Sequence, residues 1–79
     1  MSKVLRRSVR RDPKVEFGRQ IARLRRAQGM SQEALSLESG LARSYLGGVE
    51  RGQRNISLVN ICRLAVALGV RPSKLLDSL

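Results

Sequence analysis

Four of the five segments into which this chain divides close on a glycine, at positions 29, 40, 52 and 69, and between those glycines the apolar residues recur three and four apart. That recurrence is the period of a helix with one buried face, and a glycine just past the last periodic residue is where such a helix stops. The segment openings agree. Asp12-Pro13, Ser31, Ser57 and Arg71-Pro72-Ser73 supply either a side-chain oxygen for the orphan N–H groups of a first turn or a proline whose missing N–H costs nothing there. The pattern predicts helices at about 13–28, 32–39, 43–51, 58–68 and 72–78, with no strand, repeat or low-complexity tract. An all-α, compact five-helix domain is the expected fold.

Phe17 and Tyr45 are the only rings in the chain, so the core must come from Leu, Ile, Val and Ala. In the first helix Phe17, Ile21 and Leu24 fall within roughly 60° of one another, while Arg19, Arg23 and Arg26 lie opposite as a solvated stripe. From Gln32 onward the order is Leu35, Ser36, Gly40, Leu41, Leu46, Val49. Two helices that cross steeply through a turn of three or four residues need a small side chain at the crossing and a turn residue that tolerates φ > 0, and Ser36 and Gly40 meet those needs. On the third helix Ala42, Leu46 and Val49 are expected inward, directing Arg43, Ser44, Gly47 and Gly48 outward within an arc of roughly 140°. The two glycines weaken that helix by roughly 1 kcal/mol each relative to Ala. In the fourth helix Leu58, Ile61, Leu64, Ala65 and Leu68 are the predicted buried stripe, and Leu75, Leu76 and Leu79 are the apolar residues of the fifth. Leu37, Val59 and Val66 point away from these stripes and, with Leu76 and Leu79, are the candidates for a subunit interface.

A chain of 79 residues holds a single domain whose core supplies a few kcal/mol. The expected division is an arm at 1–12, carrying Lys3, Arg6, Arg7, Arg10 and Arg11, and a folded domain at 13–79. The arm reads equally as a solubilising tail and as a segment that touches a polyanion. The lone Cys62 excludes an internal disulfide and is expected as a small core or boundary residue; no signal peptide or membrane span is apparent, which makes the cytoplasm the expected compartment. With no His and one Cys, neither a metal site nor imidazole catalysis is available, so no cofactor and no enzymatic activity are expected.

The net charge of +10 points to a polyanion partner, and thirteen of the sixteen basic residues are Arg, whose planar fork fits phosphate and guanine edges. A membrane surface would call for a basic amphipathic helix with a bulky apolar face, which the pattern does not offer.

Gly-Met-Ser-Gln-Glu-Ala-Leu at 29–35, Ser-Gly-Leu at 39–41, Val-Glu-Arg-Gly at 49–52 and Ala-Leu-Gly-Val at 67–70 occur in that order, and from Phe17 to Leu79 the chain resembles the phage-repressor (XRE-type) helix-turn-helix domains. The run Arg43-Ser44-Tyr45-Leu46 followed by Glu50-Arg51-Gly52-Gln53-Arg54-Asn55-Ile56-Ser57-Leu58 is most similar to the controller proteins of restriction-modification systems. The resemblance implies a sequence-specific transcriptional regulator that binds double-stranded DNA as a homodimer on a palindromic operator, with RNA polymerase as a further partner. With its end after the fifth helix, a stand-alone regulator is expected. It also implies residue roles. Arg43 and Ser44 would contact base edges, Gln32 would sit beside a phosphate at the N-terminus of the second helix, and Tyr45, Arg51, Arg54 and Asn55 would hold the DNA backbone. Arg25 and Glu50 would form a partly buried ion pair between the first and third helices. Because Gly47 and Gly48 offer no side chain to a base, direct readout would rest on few contacts, with DNA shape supplying the rest. Tyr45 also reads as a wall of the core. Two rival functions use the same fold: an antitoxin-type module that binds a protein partner and represses its own operon secondarily, and a sequence-independent nucleoid or RNA binder.

Overall fold

The structure, a computed structural model, describes residues 12–79; the arginine-rich arm expected at 1–12 lies outside the described residues apart from Asp12. Five helices follow one another: α1 (Pro13–Ala27), α2 (Gln32–Ser39), α3 (Arg43–Glu50), α4 (Leu58–Leu68) and α5 (Pro72–Leu75). Among the described residues there is no strand, and no helix is long and apolar enough to cross a membrane.

The caps explain most of the boundaries. Asp12 accepts from the Lys14 N–H with Pro13 in the first turn, Ser31 accepts from Ala34, and Ser57 from Asn60, each leaving one fewer orphan donor at its helix. Gly40 and Gly69 end α2 and α4 in the left-handed conformation, with φ of 74° and 67°. Helix α5 is shorter than the expected 72–78. After Leu75 the chain continues in turns bonded three residues back, Leu76 to Ser73, Asp77 to Lys74 and Leu79 to Leu76, too tight to propagate an α-helix.

Phe17 and Ile21 of α1, Leu35 of α2, Leu41 in the turn, Leu46 and Val49 of α3, Leu64, Ala65 and Leu68 of α4 and Leu75 of α5 form one buried core. Leu24 and Ile61, also predicted, are partly buried and pack against it, and two further predicted members are exposed. Ala42 is exposed because it is the N-cap of α3, with extended backbone at φ −62° and ψ 141°, and so falls outside the helical period that would have turned it inward. Leu58, 72% exposed, opens α4. It lies roughly 80° round the helix from the Leu64–Leu68 stripe, on the side where Cys62 is also exposed rather than at the core boundary.

Polar side chains fasten the layers. The Gln20 amide donates to the Lys74 carbonyl at 3.0 Å and the Gln28 amide to the Leu68 carbonyl at 2.6 Å, tying α1 to α5 and to the end of α4. Gly18, which no periodicity marks, lies where α1 crosses α3. A Cβ there would stand 2.3 Å from the Val49 carbonyl oxygen and 2.8 Å from that of Glu50, so the two backbones meet with no side chain between them.

Candidate DNA-binding face

The unit formed by α2 and α3 is built around its turn. Ser36 Oγ donates to the Leu41 carbonyl at 2.5 Å, the Gly40 N–H donates to the Ser36 carbonyl at 2.9 Å, and buried Ser39 accepts from the Leu41 N–H at 3.3 Å. Ser36 therefore does more than leave room at the crossing: its hydroxyl ties the end of one helix to the start of the next. Gly40 supplies the positive φ that turns the chain between them.

With Leu46 and Val49 turned fully into the core, Arg43 and Ser44 lie exposed on the outer side of α3. Gly47 and Gly48 share that outer side but are buried, contrary to the expectation that they form a bare surface. Two arginines from the following turn cover them. A Cβ at position 47 would meet Arg51 Nη1 at 3.0 Å, and one at 48 would meet Arg54 Cγ at 3.0 Å and Nε at 3.1 Å. Helical side chains lean toward the N-terminus, so residues after a helix lie back over its last turn where that turn lacks side chains.

Arg54 is held in place by more than the glycine, since its guanidinium carbon lies 5.6 Å from the centroid of the Tyr45 ring, in cation–π range. Tyr45 is half-buried against the core and its hydroxyl accepts from the Asn60 amide at 3.2 Å, so its ring belongs to both the core edge and the basic rim. Arg51 Nε donates to Gln53 Oε1 at 3.2 Å, and Asn55 is exposed in the loop between α3 and α4. Arg19, Arg23 and Arg26 border a shallow depression on α1 with Ala22 and Glu50.

Arg25 and Glu50 meet as a bidentate pair, Nε to Oε2 at 2.7 Å and Nη2 to Oε1 at 2.9 Å, with side chains only 10% and 6% exposed. The remaining Arg25 nitrogen donates to the Met30 carbonyl at 2.8 Å, and Gln32 donates its amide to Glu50 Oε1 at 2.9 Å. This four-residue junction joins α1, the start of α2 and the end of α3. The Gln32 side-chain amide, expected beside a phosphate, is turned to Glu50. Burial would push the Glu50 carboxyl up, but hydrogen bonds from Arg25 and Gln32 outweigh it and hold the group below the usual carboxylate range. The hydrogen bond to Glu50 in turn raises Arg25 above the ordinary guanidinium value.

Leu58, Val59, Cys62 and Val66 form an exposed apolar stripe along α4, roughly 100° wide, lining a groove with Glu38, Ser39 and Arg63. Val59 and Val66, at 62% and 81% exposed, are the outward residues predicted from the sequence; Leu58 and Cys62 join them in place of their expected inward positions. Leu76 and Leu79 are 39% and 50% exposed, whereas Leu75 beside them is fully buried.

A strapped two-helix turn whose second helix presents Arg43 on its outer face, joined there by Arg51 and Arg54 from the following turn, within a bundle of five short helices, defines a DNA-binding helix-turn-helix domain. The chain belongs to the helix-turn-helix family, which it matches over residues 21–75. It is 47% identical to the control protein C.BamHI of Bacillus amyloliquefaciens over 62 residues, 77% of this chain and 76% of that protein. Its fold matches the crystal structure of the restriction-modification controller protein C.AhdI from Aeromonas hydrophila with a TM-score of 0.78 and 60% identity, over 78% of this chain and 94% of that one. It also matches the controller protein C.Esp1396I, solved as a tetramer on its natural 35 base-pair operator, with a TM-score of 0.76 and 28% identity over 82% and 86% of the two chains. The protein is a sequence-specific DNA-binding regulator of transcription.

Proposed function

We propose that the protein is a controller of the restriction-modification type, a homodimer that places one α3 in the major groove of each half of a two-fold symmetric operator. The observation that carries this is the division of α3: Leu46 and Val49 are buried, which leaves Arg43 and Ser44 exposed where base edges would lie. Arg43 offers the bidentate fork that suits guanine, and Ser44 a short hydroxyl that donates or accepts. Tyr45, Arg54 and Asn55 border that face and hold phosphates, joined by the main-chain N–H of Gln32 at the start of α2, where the helix dipole favours an anion. The Arg25–Glu50 pair fixes the tilt of α3 for that docking. The α4 stripe of Leu58, Val59, Cys62 and Val66 is the surface on which two copies meet, with Leu76 and Leu79 alongside. That C.Esp1396I assembles on operator DNA supports this arrangement.

Selection of bound duplexes from a random library tests the proposal. The expected product is one inverted repeat whose half-site centres lie about one helical turn, roughly 34 Å, apart. Sequence-blind binding in that selection, with uniform protection in a footprint, would rule it out. Transcription from a template carrying the selected operator beside a promoter then reads whether the bound dimer recruits or blocks RNA polymerase.

A further inference from the structure

We infer that Arg51, expected from the sequence to hold the DNA backbone, is instead a third base-reading residue, aimed at a guanine, and that Gly47 is the residue that positions it; the inference rests on the operator reading above. Taken round the helix from Arg43, Gly47 lies at roughly 40°, Arg51 at roughly 80° and Ser44 at roughly 100°. Arg51 therefore stands between the two residues proposed to meet bases, in the middle of the outer arc rather than on its edge. Its side chain runs back over Gly47, with Nη1 3.0 Å from where a Cβ at that position would be. A larger side chain at 47 would occupy the space the guanidinium now fills. The place left bare in the sequence is thus filled from one turn further on.

The orientation of the fork supports the same role. Arg51 Nε is engaged by Gln53 at 3.2 Å, which fixes one edge of the guanidinium. Among the described residues Nη1 and Nη2 hydrogen-bond to nothing and no carboxylate pairs with them. Two parallel N–H donors free at the tip of an anchored arginine match the O6 and N7 acceptors of guanine in the major groove. Arg54 provides the contrast. It lies over Gly48 at the edge of the arc, at roughly 140°, with its guanidinium against Tyr45, a position that suits the sugar-phosphate wall.

The experiment is library selection with the full-length wild type, Arg51→Ala, Arg51→Lys and Arg54→Ala, together with affinities for the selected operator and a random duplex at one salt concentration. Arg51 is exposed, so its variants are expected to keep wild-type helical circular dichroism. The wild-type motif should contain one guanine per half-site that both Arg51 variants lose, with discrimination there falling roughly five- to a hundredfold, while the other positions persist. Lysine should fail like alanine because it keeps the charge and lacks the fork. Arg54→Ala should keep the whole motif and bind every duplex less tightly. An unchanged motif in Arg51→Ala with equal losses on operator and random DNA would make Arg51 a phosphate contact and overturn the inference alone, as would a wild-type motif in Arg51→Lys. A wild-type protein that selects no motif would overturn this inference and the proposed function together.

Discussion

Gly18 governs how closely the scaffold helix α1 can approach α3, the helix that carries the residues proposed to face DNA. Because the atoms a methyl group would meet at 2.3 and 2.8 Å are main-chain carbonyl oxygens, no rotamer change can relieve the contact and α3 must move. Gly18→Ala is expected to cost about 3 kcal/mol, at the upper end for overpacking, and to lower the melting temperature by roughly 10 to 20 °C in a domain of this size. A thermal melt followed by circular dichroism within about 2 °C of wild type would show that the backbones are not in contact, and α-helical propensity alone predicts the opposite sign. Gly47 differs in kind, since the atom nearest its missing Cβ is the free end of an arginine. Among the residues proposed to contact DNA, Arg43→Ala should broaden the selected motif at a guanine, for a loss of about 1 to 3 kcal/mol on operator only. Arg54→Ala should instead weaken operator and random duplex alike and reduce the salt slope by about 1. Parallel titrations across a salt series distinguish the two, and equal losses for both variants on both duplexes would reverse the assignment of roles.

At the scale of the helices, the orientation of α3 depends on a charged junction more than on its own stability, for it has eight residues, two central glycines and no side-chain cap. Removing Glu50 as Glu50→Ala would leave Arg25 with two unpaired N–H groups in a site 10% exposed, and such a loss typically costs about 3 to 5 kcal/mol. The pair also carries a pH dependence whose sign follows from the depressed Glu50 carboxyl. The unfolded chain takes up that proton more readily than the folded one, so the stabilisation is complete above the unfolded value of about 4.3 and fades as the pH drops through the lower folded value. Wild-type melting temperature should therefore fall on acidification below about pH 4, and Glu50→Gln, which cannot titrate, should fall less steeply from a lower starting point. Parallel acid limbs in the two proteins would remove Glu50 from that role. Much of this level was legible beforehand, because caps and glycines act through the chain within three or four residues of themselves. Asp12, Ser31, Ser57, Gly40 and Gly69 stand where the pattern put them. What periodicity missed depends on other elements. Ala42 left its stripe because it is the N-cap, outside the helical period, Leu58 and Cys62 because α4 has a second apolar face, and Gly47 and Gly48 because arginines beyond the helix fold back over them. Gly18 was silent because its reason lies in a backbone more than thirty positions away.

For the molecule as a whole, the two proposed contacts should respond oppositely to salt, and this separates them without any knowledge of the operator. Each protomer carries +10, so bringing two together costs electrostatic repulsion that added salt screens, while the apolar stripe of Leu58, Val59, Cys62 and Val66 is indifferent to it or strengthened. DNA binding releases counterions and should weaken with a slope near −0.9 for each phosphate neutralised. The stripe can be altered without touching the core, since Leu58 and Val66 are 72% and 81% exposed, and the buried Leu64, Ala65 and Leu68 of α4 hold the bundle. A Leu58→Asp, Val66→Asp variant is accordingly expected to keep wild-type helical content and a cooperative melt yet sediment as a monomer at concentrations where wild type is a dimer. Each half-site would then be bound separately, and the loss of the linked second contact should reduce operator affinity by about 10²- to 10⁴-fold with less effect on an isolated half-site. If the variant still sedimented as a dimer, the stripe would not be the subunit contact, and attention would pass to Leu76 and Leu79. If instead it became a monomer with undiminished operator affinity, two copies would not need to be joined before binding, and the two-fold operator would lose its mechanical basis.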